Sequence, residues 1–144
     1  MNIEELRNII GECSTEESKI CVKSRIYDVI KFLKNNYSFK MLKSITAVDF
    51  GDEIELLYNL FSVEDEEDVI LSIKVRNEAE SVADLFESAK ADENEIYDMF
   101  GIQFIGNEDL KRLYMPENWE GFPLRKDYVQ DDTRLAWNDN NDNA

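Results

Sequence analysis

Histidine is absent from all 144 residues, and that gap removes more chemistry than any other. Without imidazole there is no Ser-His or Cys-His nucleophile pair and no His-ligated zinc, haem or copper. A general acid or base would have to be a carboxylate, Lys, Tyr or Cys. Cysteine is scarce too: Cys13 and Cys21 stand eight residues apart with no CxxC, too few ligands for a cluster or zinc site built from this chain alone. They read as two free thiols in or near the core. Basic residues are outnumbered, 16 Lys plus Arg against 32 Asp plus Glu, a formal charge of -16. That is the wrong sign for neutralising phosphates or anionic headgroups, so nucleic acid and the membrane surface are excluded as direct partners. No apolar run approaches the roughly 18 residues of a spanning helix. The start, Met1-Asn2-Ile3-Glu4-Glu5, is acidic where a secretory signal is basic and apolar, so the expected location is cytoplasmic.

What is present suits one compact domain: 43% apolar and 11% aromatic residues can sustain a core. Ile3, Leu6, Ile9 and Ile10 repeat at helical spacing, with Asn2 as a cap. Ile20 and Val22 alternate as in a brief strand, and Ser24 is expected to cap a helix whose apolar stripe is Ile26, Val29, Ile30 and Leu33 and which ends near Asn35-Asn36. Met41–Val48 then predicts a strand, Gly51-Asp52 a turn, and Ile54, Leu56, Tyr58 and Leu60 one face of a second strand. Beyond the acidic run Glu64–Asp68, Val69, Leu71, Ile73 and Val75 mark a third. The run reads as a solvated turn, because five consecutive acids lack the spaced ligands and Gly of a calcium loop. Helix returns with Ser81 as cap for Val82, Leu85, Phe86 and Ala89, followed by Ile96, Tyr97, Met99 and Phe100 up to Gly101. The fold expected is α+β: an antiparallel meander of three to four strands covered by helices on one face, followed by an extended C-terminal arm.

At Gly101 the chain changes character. Residues 101–144 hold both prolines, both tryptophans and three of the five glycines, with no sustained period. We divide the chain into an α+β domain (1–100), an extended partner-binding arm (101–130) and a polar, flexible tail (131–144). The arm carries Phe104, Tyr114, Trp119, Phe122 and Tyr128, rings that an irregular segment has little core of its own to bury. Folding back suits Phe104 and Tyr114. For Trp119 to Tyr128 a partner surface is expected, since Arg125 and Lys126 follow Pro123-Leu124 as a basic, stiffened stretch in an acidic protein.

One ordered set of blocks resembles a known family. Glu93-Asn94-Glu95-Ile96-Tyr97-Asp98-Met99-Phe100-Gly101-Ile102, then Phe104, Gly106, Asp109-Leu110, Arg112-Leu113, Trp119-Glu120-Gly121 and Pro123-Leu124-Arg125-Lys126-Asp127-Tyr128, resembles the 30 kDa subunit family of respiratory complex I, the C subunits of NADH-quinone oxidoreductase. The same family supplies a component of energy-converting, membrane-bound nickel-iron hydrogenases. The likeness covers roughly residues 24 to 129. It departs where the family usually has Arg at Asn94 and Lys111, His at Asn107, Trp at Ala91 and Pro at Val129.

The resemblance implies a non-catalytic scaffold without a cofactor. Its C-terminal stretch would lie across a large subunit of the complex I 49 kDa or hydrogenase type, beside an iron-sulfur subunit, with iron-sulfur clusters and a nickel-iron centre confined to partners. The complex would sit peripherally on the cytoplasmic face of the cell membrane. Trp119 and Leu124 are then expected to anchor the arm in apolar pockets, Gly121 and Pro123 to fix its path, and Arg125 with Lys126 to meet partner carboxylates, with Asp127 and Tyr128 completing the block. Arg112 would tie the start of the arm to its own domain or to the partner through Glu95 or Asp98. Glu93, Glu95, Asp98, Phe100, Gly101, Phe104 and Gly106 form the family signature. Two rivals differ in class. A carboxylate enzyme would use Glu93, Glu95 and Asp98, of which Glu95 and Asp98 share a helix face, but no phosphate loop or nucleophile elbow accompanies them. A stand-alone acidic mimic rests on charge alone.

Overall fold

Alternating apolar residues and a short helix with a clean stripe produce a sheet roofed by helices. The computed structural model describes residues 19–128, together with residues 4, 5, 8 and 13–16. In chain order the elements are β1 (Cys13–Glu16), β2 (Lys19–Val22), α1 (Ile26–Asn36), β3 (Met41–Asp49), β4 (Ile54–Ser62), β5 (Glu67–Val75), β6 (Glu78–Glu80), α2 (Ala89–Phe100) and β7 (Gln103–Ile105). Five strands form one sheet in the order β1-β2-β5-β4-β3. The meander β3-β4-β5 is antiparallel, as the alternation predicts. The sheet then extends past β5 through β2, which runs parallel to it, and β1.

Register puts the core residues into rows, because directly opposed residues share a face. Ile45, Tyr58, Leu71 and Ile20 form one row, and Ala47, Leu56, Ile73 and Val22 the next. Onto this face pack Ile26, Val29, Ile30 and Leu33 of α1, with Phe39, Val82, Phe86, Ala89, Ile96, Ile102 and Phe104 in the same core. The exposed edge of β3 is a pairing hazard that α2 covers. Asp92 Oδ2 accepts the Ile45 N–H at 3.1 Å, and Ser88 Oγ donates to the Leu42 carbonyl at 3.4 Å.

Three expectations need correction. Ser24 does not cap α1. The N-cap is Arg25, in the left-handed region at φ 62 with no side-chain cap bond, and its guanidinium instead meets Asp28 of the first turn at 2.9 Å. No continuous helix begins at Ser81. Residues 83–85 and 87–88 are turns, with Phe86 N–H donating to the Val82 carbonyl, and α2 starts at Ala89. The helical spacing of Val82, Phe86 and Ala89 nonetheless buries all three. Third, the first residues after Gly101 belong to the body: β7 pairs parallel with β6, Ile102 is fully buried, and Phe104 is 2% exposed. Three residues are too short to declare a period. Cys21 is half-buried on β2. Of the expected first helix, Glu4, Glu5 and Asn8 are helical; its apolar stripe, the Cys13 side chain and the 131–144 tail lie outside the described residues.

Candidate functional site

Helix α2 carries a contradiction that organises the rest of the chain. Glu93 and Asp98 lie on its buried side, each fully shielded from solvent. A buried carboxylate is tolerated only when its oxygens are hydrogen-bonded. Both are. Glu93 accepts from Ser81 Oγ (2.8 and 3.0 Å), the Val82 N–H (2.8 Å) and Asn107 Nδ2 (3.0 Å), joining α2 to the turns on either side of the small β6-β7 sheet. Burial pushes the Glu93 carboxyl above its usual range, and those donors only partly oppose it. Asn107, where the resemblance expects His, still supplies a donor to this hub. Asn94, where the resemblance expects Arg, accepts the Lys111 N–H at 3.2 Å.

Asp98 is the second hub. Its Oδ2 accepts three consecutive backbone N–H groups, from Leu113 (3.2 Å), Tyr114 (2.7 Å) and Met115 (3.1 Å), and its Oδ1 accepts Arg112 Nη1 at 2.9 Å. Burial would raise its pKa, but the Tyr114 N–H, the Arg112 guanidinium and the Met115 and Leu113 N–H groups overcome that and hold it below the ordinary carboxylate range. Arg112 also donates to the carbonyls of Asp98, Trp119 (3.0 Å) and Gly121 (2.9 Å), and its guanidinium lies 4.9 Å from the Phe122 ring centre. Of the two alternatives for Arg112, the structure places it within its own domain, on Asp98 and not on exposed Glu95.

The end of the arm is fastened equally firmly. Helix α2 stops at Gly101, whose left-handed φ of 77 brings the Phe122 ring to within 2.5–2.9 Å of where a Cβ would stand. The last carbonyls of α2, which have no partner inside the helix, are taken by the arm: Leu124 N–H donates to Met99 O at 2.9 Å and Arg125 Nη1 to Phe100 O at 3.3 Å. Asp49, at the end of β3, accepts the Lys126 N–H at 2.7 Å and the Gly51 N–H at 2.7 Å. The Lys126 N–H above all, with Gly51 and the nearby cations, holds the Asp49 carboxyl below its usual range. At Gly121, φ 89, the Tyr128 ring packs 3.0 Å from the position of a Cβ.

The expectation that residues 119–128 rest on a partner instead of on their own chain is therefore corrected. An irregular backbone offers unpaired N–H and C=O groups, and three buried or end-of-element acceptors, Asp98, Asp49 and the α2 terminus, collect them. Trp119, Phe122, Pro123, Arg125 and Tyr128 are half-buried against this frame. What faces outward is a different set: Tyr114 (67% exposed), Leu124 (56%), Leu113 (43%), and the side chains of Lys126 and Asp127. Folding back is the expectation for Tyr114; its backbone does so and its ring does not. Of the signature, Phe104 is core, Gly101 and Gly106 adopt left-handed φ of 77 and 103, and Phe100 is half-buried. Sequence reasoning missed Asp49, Ser81 and Asn107 as network members. The available signal was that Glu93 shares the core-facing stripe of Ala89 and Ile96, where a carboxylate must find donors. Glu95 is exposed while Asp98 is saturated by donors, so the two form no acid-base dyad. Among the described residues no group of three or more acids or cysteines converges as a metal site, and no helix is long and apolar enough to cross a membrane.

Known proteins share this architecture. A chain of the membrane-bound sulfane sulfur reductase, an archaeal respiratory membrane complex of solved structure, matches with a TM-score of 0.72 at 25% identity over 99% of this chain and 91% of that one. The NADH-quinone oxidoreductase C subunit of Geobacter sulfurreducens is 31% identical over 126 residues, 83% of this chain and 78% of that protein. The C subunit of the same enzyme in Trichlorobacter lovleyi is 39% identical over 114 residues, 74% and 70%. The C/D subunit of Phocaeicola vulgatus is 34% identical over 109 residues, and this chain spans only 21% of its length. The class these define is a subunit of complex I-related oxidoreductases. Residues 20–134 match the family described as respiratory-chain NADH dehydrogenase, 30 kDa subunit, and the chain belongs to that family.

Proposed function

We propose that this chain is a non-catalytic scaffold of a membrane-associated, complex I-related oxidoreductase. The arm docks on the large catalytic subunit of the cytoplasmic portion, next to an iron-sulfur subunit, and so supports electron transfer coupled to ion translocation. Iron-sulfur clusters, and a nickel-iron centre if the complex is a hydrogenase, reside on those partners. The chain itself is held peripherally at the cytoplasmic face of the membrane by the complex. One observation carries the reading beyond family membership: the arm's backbone is bound inward while Leu113, Tyr114 and Leu124 are exposed. Apolar and aromatic side chains on a rigid frame are what an interface core requires.

The experiment is affinity purification of the tagged full-length chain from its native host in mild detergent. Co-elution of a large subunit and an iron-sulfur protein is expected. Elution alone at low and moderate salt would overturn the reading. The same preparation separates the outputs. Quinone reduction without nickel indicates the quinone-type enzyme, nickel in the large subunit the hydrogenase, and sulfane sulfur reduction the activity named for the structural relative.

A further inference from the structure

We infer that Asp98 is the positioning residue of the docking arm: through Arg112 and the amides of Leu113, Tyr114 and Met115, it sets the arm in its docking shape before any partner arrives. The inference rests on the docking role proposed above and adds how that role is prepared.

Residues 106–128 contain no helix or strand, so nothing in their own backbone ladder defines a path. Asp98 substitutes for that ladder. Both carboxylate oxygens are occupied, one by three successive N–H groups and the other by Arg112. The three amides turn inward, while the side chains of Leu113 and Tyr114 face outward and that of Met115 is half-buried. Arg112 extends the same control downstream. Its Nη2 bridges the carbonyls of Trp119 and Gly121, and Phe122 lies beneath its plane while filling the space left open at Gly101. From Phe122 it is two residues to Leu124, whose N–H is bound to the end of α2 while its side chain stays exposed. One buried carboxylate thus orients Leu113 and Tyr114, and the guanidinium it holds binds the stretch from Trp119 to Phe122 that leads to the third outward side chain, Leu124, itself tied to the Met99 carbonyl. A segment that had to order itself on the partner would lose affinity to that ordering; one already ordered does not. The chain is therefore expected to dock as a preformed surface, with its arm equally structured free and bound.

The test uses the full-length chain and the complex purified without it. In the free wild-type chain the amides of Leu113, Tyr114 and Met115 are expected to exchange slowly. Asp98→Asn, nearly isosteric but unable to pair with Arg112 as an anion, should speed their exchange at least about tenfold while Leu56 and Leu71 in the sheet stay protected. It should also weaken reassociation with the depleted complex by about tenfold or more. Tyr114→Ala should weaken reassociation without changing exchange in the arm. Arg112→Lys, which keeps the charge but not the fork that reaches both carbonyls, serves as the second clamp variant if Asp98→Asn does not fold. Arm amides exchanging at random-coil rates in the free wild-type chain would overturn the inference. So would a clamp variant that loses protection yet rebinds as tightly as wild type, and in that case the docking role itself stands. Failure of the wild-type chain to rebind, with its arm amides protected, would instead remove the docking reading and the inference built on it.

Discussion

The sheet body and the C-terminal arm solve one problem in two ways. In the body, backbone groups pair with each other along ladders of up to nine residues, and side chains are left free to fill a dry core. In the arm there is no ladder, and beside a few turn bonds and the Leu124 N–H on the Met99 carbonyl, the backbone is satisfied by side chains: Asp98 and Asp49 sent out from the body and, from within the arm, Arg112. The body's stability is therefore mostly burial, which is indifferent to charge. The arm's attachment is mostly charge-assisted hydrogen bonding, which depends on protonation state and on single atoms. A region built the second way can display apolar side chains outward because it does not need them inside.

Substitutions that treat the two regions differently should separate these mechanisms, and the largest effect belongs to the body. Leu56 is fully buried in the row that includes Ile73 and Val22. Leu56→Ala is expected to cost about 3 kcal/mol in chemical denaturation, with the arm released in the same transition because its anchors sit on body elements. If the arm's signal survived that transition, the dependence of arm on body would be disproved. Gly101→Ala comes next. It places a methyl among Phe122 ring atoms 2.5–2.9 Å away and forces an L side chain to φ 77. A loss of about 2 kcal/mol is expected, together with a change in Trp119 fluorescence in a Trp137→Phe background. An unchanged spectrum would mean Phe122 does not hold the arm.

How much of this was legible in advance depended on which of the two solutions a residue belongs to. The meander, α1 and the core stripe follow directly from alternation and helical spacing, since Ile54, Leu56, Tyr58 and Leu60 can share only one face of a strand. The family blocks identified the signature residues without saying what they touch. What stayed hidden was every contact between a side chain and a distant backbone. Asp98 to Tyr114 and Asp49 to Lys126 leave no periodic trace, because an N–H acceptor can be any residue and an N–H donor nearly every residue. Counting rings and charges in the arm therefore suggested a segment waiting for a partner, when its backbone already had one. Residues 82–88 misled for a related reason: helical spacing is also produced by consecutive turns.

The paired substitution Trp119→Ala with Arg125→Ala now sharpens the comparison. A segment resting only on a partner would leave the isolated chain's melting unchanged. With Arg125 on the Phe100 carbonyl and Trp119 half-buried, a loss of about 1 kcal/mol is expected, confined to the arm when followed by hydrogen exchange. Loss spread evenly through the sheet amides would mean that the arm and body are one cooperative unit. The body has its own exception in Tyr58, buried on the core face with a hydroxyl that finds no hydrogen-bond partner among the described residues. Tyr58→Phe removes that unsatisfied group and should be neutral or stabilising by up to about 1 kcal/mol; a clear loss in the melt would show that the hydroxyl is bound.

The smallest global effect should come from pH, and its sign differs between the hubs. Asp98 and Asp49 have folded-state pKa values below the unfolded ones. They bind fewer protons folded, so their contribution is present above the ordinary carboxylate range, about 4, and is lost as pH falls through the lower folded values. Glu93 is raised. It binds more protons folded, so its contribution is fully present below the ordinary range and is lost as pH rises through the raised folded value. Stability should therefore increase slightly on acidification toward the ordinary carboxylate range and then fall, with arm amides exposed before sheet amides on the acid side. Glu93→Gln should shrink the first limb, to which Asp92, also raised by burial, still contributes, and Asp98→Asn should shrink the second, to which Asp49 still contributes, each leaving the other limb intact. A single monotonic limb, or two limbs that respond to the same substitution, would mean that the two buried acids titrate as one network and that arm and body are not separately held.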